Sequence, residues 1–306
     1  KCTDTEPENI LALTFTESAT RNMRHRLAEI IGSPAYQVEI TTFHSFCNDI
    51  IQSYPEEFPH IIGSIPITEV DQIQCIERLI KKLDLKILRP FGDQLFYTRS
   101  ILGAINTLKR EGVSPEEFEK TIQSEKKEFE EIDDLYNKKG KYEGKMKGKY
   151  IAREKTIKKH AELALMYREY QKELRKNKVY DYNDMIMECV ATLEKDGDLK
   201  KILQEKFQYI LVDEHQDTNS AQNKVLELLL DFHENPNIFA VGDEKQAIFR
   251  FQGASLQNFL YFKNLYKEAK VITLKVNYRS LQHILDGAES LMEGAGLKAH
   301  KAHIQK

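Results

Sequence analysis

The sequence predicts an α/β protein: a mostly parallel sheet, covered by helices on both faces and interrupted by a large all-helical insertion. Three observations carry this. Short apolar runs alternate with helical patterns near the amino terminus, helix-only texture fills the middle of the chain, and the strand-and-helix alternation then resumes.

The run from Ile10 to Phe15 reads as a strand, and Ala19, Met23, Leu27 and Ile30 follow at three- and four-residue steps, as one face of a helix requires. A second unit repeats the arrangement, with a strand from Val38 to Thr41 and a helix whose apolar face carries Phe43, Phe46, Ile50 and Ile51. From Glu56 to Asn177 no strand with clean alternation is found. Helices are expected over Glu69 to Leu83, Gln94 to Arg110, Pro115 to Tyr136 and Ala152 to Lys176, separated by Pro and Gly punctuation. Within this region Lys138 to Lys149 is rich in lysine, with glycines at 140, 144 and 148, and reads as a solvated loop between two helices. Beyond it, Phe207 to Val212 is a strand ending at Asp213 and Glu214, Gln222 to Leu230 is a helix, Ile238 to Val241 is a strand ending at Gly242 and Asp243, and Val271 to Leu274 is a further strand. A helix is expected to begin after Ser280.

Composition narrows the classes. No run of the 306 residues is long and apolar enough to cross a membrane, so a soluble protein without a membrane partner is expected. Lysine and arginine number 45 against 48 acidic residues, and a net charge of -3 gives no global electrostatic case for nucleic acid, so any such site must be local. Cys2, Cys47, Cys75 and Cys189 lack the paired spacing of a zinc site, which favours thiols in a reducing, cytoplasmic setting. The chain has neither a signal peptide nor a starting methionine, and reads as a piece of something longer.

The segment 209-YILVDEHQDTN-219 is the most informative chemically. A buried strand that delivers two carboxylates at its carboxyl end places them where open α/β sheets hold ligands. The first, Asp213, is suited to holding magnesium, and the second, Glu214, to orienting or deprotonating a water. An Asp-Glu pair at a helix start, or a solvated pair, is the competing reading. Gln246 follows the next strand, where an uncharged amide can hydrogen-bond a terminal phosphate and a water together. Phe249 and Phe251 flank Arg250, and in an extended segment both rings point to one side, as base stacking on a single strand requires, although two ordinary core phenylalanines would look the same. In 277-NYRS-280, Arg279 offers a rigid fork of donors for a phosphoryl group and Tyr278 a ring for an adenine; a turn with a helix cap accounts for the same four residues.

Taken in order, 11-LALTFTESATRNMRHRL-27, 41-TTFHSF-46, 181-DYND-184, 210-ILVDEHQDTN-219, 241-VGDEKQAIFRFQGA-254 and 277-NYRS-280 resemble the motor of UvrD/Rep/PcrA-type superfamily 1 DNA helicases. The resemblance spans nearly the whole chain, with the helical insertion matching mainly by position. It implies a RecA-like P-loop NTPase sheet, with the first motor domain in residues 1–55 and 181–274, the insertion in 56–180 and the opening of a second motor domain in 275–306. It also implies ATP and Mg2+ as cofactors, single-stranded DNA and single-strand/duplex junctions as partners beside possible repair proteins, and 3′-to-5′ movement in repair or replication restart. By similarity Asp213 coordinates magnesium, Glu214 is the catalytic base, Gln246 senses the γ-phosphate, Arg279 reaches that phosphate from the second domain and Tyr278 packs on the base of ATP. Thr14, Phe15 and Thr16, together with Thr42, Phe43 and His44, match motifs that line the single-strand track, and Phe249 and Phe251 match its stacking aromatics. His44 is equally well read as a packed histidine bonded to its own loop. Asp184 matches an aspartate that looks structural.

His215 stands where the family usually has Tyr, Phe or Ser, and Gln252 where Arg is usual. No GxxxxGK[ST] segment occurs, so the loop that cradles the β- and γ-phosphates is missing from these residues, and the chain alone is expected to be inactive. Two rival readings stay open. One is an inactive DNA-binding or partner-docking paralogue; the other is a helicase-nuclease subunit of the AddA/RecB kind, suggested by the wording EKQAIFRF.

Overall fold

The computed structural model describes residues 5–140, 142–232, 234, 236–243, 246, 262 and 264–294. Strands β1 (Ile10–Thr14) and β2 (Glu39–Thr42), with β5 (Tyr209–Val212) and β6 (Ile238–Ala240), form a four-stranded parallel sheet in the order β2-β1-β5-β6. Thr14 lies opposite Thr42, Leu13 opposite Val212 and Val212 opposite Ala240, so all four strands finish level at one edge. This register gives the molecule its site, because each carboxyl end hands its loop to the same edge.

One face of the sheet is a full core. Leu11, Leu13, Ile210 and Val212 pack beneath α2 (Phe43–Ser53), α7 (Tyr182–Lys195) and α9 (Ser220–Leu230), joined by Leu199 and Leu203 of α8 (Gly197–Lys206). The other face is covered at Ala12 and Ile40 by Met23 and Leu27 of α1 (Glu17–Ile31). Further along that face Leu211 is 37% and Phe239 57% exposed, so among the described residues the expected two-sided cover is complete only over β1 and β2. The side chains alternate across a strand, and these two fall in register with Ala12, on the open side.

The insertion has its own core. Helices α3 (Glu69–Lys82), α4 (Thr98–Arg110) and α6 (Gly148–Lys176) bury Ile76, Leu79, Ile101, Ile105, Met166, Tyr167 and Tyr170, apart from the sheet, and Phe129 of α5 (Pro115–Glu130) packs in a smaller cluster with Leu135 and Ile157. Start signals in the sequence are used: Thr68 caps α3, and Ser114 with Glu117 forms a reciprocal capping box on α5. Helix α4 begins later than Gln94 because the Glu162 carboxylate and an Asp93 cap hold the preceding connection: Glu162 accepts the backbone N–H groups of Lys86, Ile87 and Leu88, and Asp93 that of Leu95. The insertion also contains strands after all. β3 (Ile65–Pro66) pairs in parallel with β4 (Val179–Tyr180), drawing its two ends together. Each is only two residues long, too short for alternation to register.

The lysine-rich loop is anchored at its root. Tyr136 bridges to Met146, and Asp134 accepts from Lys147, Lys149 and the Tyr150 hydroxyl. These partners, Lys149 first, hold the Asp134 carboxyl well below the usual range. Residues 271–274 form no strand; Val271, Ile272 and Leu274 are exposed, and no described strand lies beside them to complete a ladder. The final described helix is α10 (Gln282–Gly294). Cys47, Cys75 and Cys189 are buried free thiols, and no helix among the described residues is long and apolar enough to cross a membrane.

The insertion and the sheet domain are pinned together by a buried charge cluster. Lys109, at the end of α4 and 0% exposed, places Nζ 2.5 Å from Asp181 Oδ2 and 2.7 Å from Asp184 Oδ1. Tyr170 donates its hydroxyl to Asp181, and Gln171 its amide to Asp184, so α6 joins the cluster too. Burial opposes charge on Lys109, but the two carboxylates together outweigh it and hold the ammonium above its ordinary range. Burial raises the Asp181 carboxyl, and the Asp184 charge adds to that rise. The structural role expected of Asp184 is this junction.

Candidate functional site

At the level edge, β5 runs directly into Asp213 and Glu214. The Asp213 N–H donates to the Leu13 carbonyl, the last tie to β1. Glu214 then takes a left-handed backbone with φ 50°, a conformation costing a non-glycine residue about 1–2 kcal/mol. That turn throws the Glu214 side chain off the strand direction and allows its N–H to donate to Asp213 Oδ1 at 3.1 Å. Burial, and then the nearby Glu214 charge, push the Asp213 carboxyl upward from its ordinary value.

Gln216 fixes the second carboxylate. Its Nε2 donates to Glu214 Oε2 at 2.7 Å, while its Oε1 accepts the Asp243 N–H at 3.0 Å from the loop after β6. Gln246 Nε2 in turn donates to Asp243 Oδ2 at 2.9 Å. Glu214 and Gln246 therefore stand at the two ends of one hydrogen-bonded chain. Gly242 leaves room for it, since a Cβ there would lie 2.6 Å from Gln216 Oε1, forcing that amide aside, and 3.3 Å from the His215 nitrogen. Gly242→Ala is expected to break the Gln216–Asp243 bond and to lower any hydrolysis that depends on Glu214 about tenfold or more, the scale for displacing a positioned group. Steady-state kinetics beside a thermal melt checks this.

His215 is buried, its ring edge-on to Phe262 at 5.1 Å, and burial lowers its pKa to about 4, so it is a neutral packing residue.

The other two strand ends carry the candidate track residues, with a division the motifs alone did not reveal. Thr14 is 1% exposed, with its hydroxyl 2.7 Å from that of Thr20, and Phe43 is 3% exposed within the main core. Their side chains face inward, so these two positions offer the strand ends little more than backbone. Phe15 is half-buried. Thr16 and Thr42 hold the helix starts: their hydroxyls accept the N–H groups of Ala19 and Ser45. His44 is half-buried, its pKa lowered to about 4 by burial, and its ring lies flat on that of Tyr182 with centroids 3.8 Å apart. The His44 ring therefore packs on the first residue of α7. Tyr182 itself is 63% exposed. Sequence reasoning missed Tyr182, Gln216 and Glu17; the available signal was an aromatic directly after the helix-capping Asp181.

Asn277 Oδ1 accepts the N–H groups of Arg279 at 2.9 Å and Ser280 at 2.8 Å, so the NYRS segment is a side-chain-capped turn ahead of α10, with Tyr278 exposed. Phe249 and Phe251 lie outside the described residues.

The family model for the UvrD/REP helicase N-terminal domain matches residues 1–267. The chain belongs to the UvrD/REP helicase family. Among individual relatives, the ATP-dependent DNA helicase PcrA of Bacillus subtilis (strain 168) is 33% identical over 287 residues, covering 94% of this chain and 33% of that protein. PcrA of Staphylococcus epidermidis is 32% identical over 290 residues, covering 95% of this chain and 34% of the relative. The chain thus spans about a third of the length of the curated relatives it matches. The UvrD/REP match takes in both carboxylates, Gln216 and Gln246, and it ends before Tyr278 and Arg279.

Proposed function

We propose that the level edge of β2-β1-β5-β6 forms one wall of the nucleotide and single-strand sites of an ATP-driven DNA helicase, moving 3′ to 5′ in the cytoplasm and serving repair or replication restart, with repair proteins and strand junctions as partners. The observation that carries this is the register, which gathers Asp213, Glu214 and Asp243, with Gln246 bonded to Asp243, at the edge where α1 and α2 begin. Membership of the UvrD/REP family supports the same reading.

Glu214 is the base that takes a proton from the attacking water, with its orientation set by Gln216. Gln246, tied to Asp243, is placed to report the terminal phosphate back to Glu214. Asp213 would hold magnesium, which when bound neutralises charge on the nucleotide phosphates. The donor set fits that ion: Asp213 and Glu214 follow the end of β5 side by side, and magnesium is held by one or two carboxylates with waters and phosphate oxygens completing its shell. Arg279 and Tyr278 act on the same nucleotide from the second motor domain.

For DNA, the Thr16 and Thr42 helix starts offer amides and hydroxyls to phosphates, and Tyr182 stacked on His44 offers a shelf to a base. Phe249 and Phe251 extend the stacking surface. Anisotropy of a fluorescein-labelled oligodeoxythymidine is expected to show tighter binding than a blunt duplex. Tyr182→Ala is expected to weaken that binding by about 1–3 kcal/mol. Equal affinity of the variant and parent would remove Tyr182 from the track, and absence of single-strand preference would sink the motor reading.

A further inference from the structure

Glu17 is an acidic residue in the middle of a surface assigned to a polyanion. It sits in the first turn of α1, and its Oε1 accepts from Thr42 Oγ1 at 3.2 Å and from Ser45 Oγ at 3.0 Å, both at the start of α2. The carboxylate therefore spans the loops after β1 and β2, which the Thr14–Thr42 register sets side by side. Its charge is felt on both flanks. The Tyr182 hydroxyl is raised first by burial and then by Glu17, and Glu17 also contributes to the rise at Asp49, which burial leads. No lysine or arginine among the described residues pairs with it.

Hydroxyl donors at a helix start are what a phosphodiester uses on a sequence-indifferent surface. Here a carboxylate already uses two of them. We propose that Glu17 is an intramolecular competitor for the DNA backbone: it holds the Thr42 and Ser45 hydroxyls when no strand is bound, and lowers affinity for single-stranded DNA by occupying donors and by like-charge repulsion. This rests on the motor reading of the same edge and adds its regulation. For a motor the consequence is turnover, because an anion that rebinds the donors each time a phosphate leaves speeds release of the strand.

The rival is a clamp, in which Glu17 ties two loops into a shape that DNA needs. Two variants separate them. Glu17→Gln keeps the size and the acceptor oxygen while removing charge, and Glu17→Ala removes both. Competition predicts that Glu17→Gln binds labelled oligodeoxythymidine about fivefold tighter at low salt, the effect of one unit charge about 4 Å away in water, with the gain shrinking at high salt. Glu17→Ala binds at least as tightly. A clamp gives the opposite order: unchanged affinity for Glu17→Gln and weaker binding for Glu17→Ala, and either result overturns the proposal. If the parent chain binds single strands and Tyr182→Ala weakens it while Glu17→Gln changes nothing, the competitor fails and the motor reading stands. If the folded parent shows no single-strand preference at all, both fall together.

Discussion

Glu214→Gln in the whole protein is expected to lower DNA-stimulated ATP hydrolysis by about two or more orders of magnitude while leaving ATP and single-strand binding intact. The geometry makes this substitution clean. An amide oxygen at the same place still accepts from Gln216 Nε2, so the chain through Asp243 to Gln246 survives. The left-handed turn at residue 214 is a property of the backbone and its ties to Leu13 and Val241, which the substitution does not touch. What disappears is the ability to take a proton. Turnover equal to that of the parent protein, measured at saturating ATP and DNA, would strip Glu214 of its role and move attention to Asp213. A loss of binding together with turnover would mean instead that the carboxylate shapes the site.

The strand ends were legible because buried parallel strands have to be short apolar runs, and each here stops where the polar loop begins. Asp213 and Glu214 could be named from 209-YILVDEHQDTN-219, and Gln246 from its distance past the next strand. The left-handed Glu214 carried no signal, since nothing in its residue type calls for that conformation. Phe43 fits two patterns at once, the apolar stripe of a helix and a DNA-track motif, and its side chain packs with the stripe. Residues 271–274 have strand composition, but no strand among the described residues lies beside them. Lys109 was invisible for a different reason. A lysine closing an amphipathic helix looks like a solvated partner of the helix dipole, and its carboxylates are 72 and 75 residues away along the chain.

Lys109→Met should therefore be the most damaging single change in the insertion, costing about 3–5 kcal/mol, the penalty for stripping one partner from a buried ion cluster. Methionine fills nearly the same volume, so cavity formation contributes little and the loss reports uncompensated charge on Asp181 and Asp184, which are 2% and 6% exposed. Urea unfolding measures it, as a lower midpoint at unchanged slope. Adding Asp181→Asn and Asp184→Asn to the same variant should recover most of the loss, because buried ion clusters add little over uncharged groups of equal shape and Asn still caps a helix. If Lys109→Met costs under about 1 kcal/mol, the cluster is open to water and the buried-charge argument fails. The position of the cluster gives the result a functional edge. Asp181 caps α7, and the next residue is Tyr182, whose ring lies on His44; Asn183 reaches back to Asn106 of α4. Lys109 thus fixes the helix start that presents the proposed base shelf, and in the recovered triple variant single-strand affinity should return together with stability. Recovery of stability without affinity would show that the insertion positions Tyr182 through the charge itself, rather than through the packing around it.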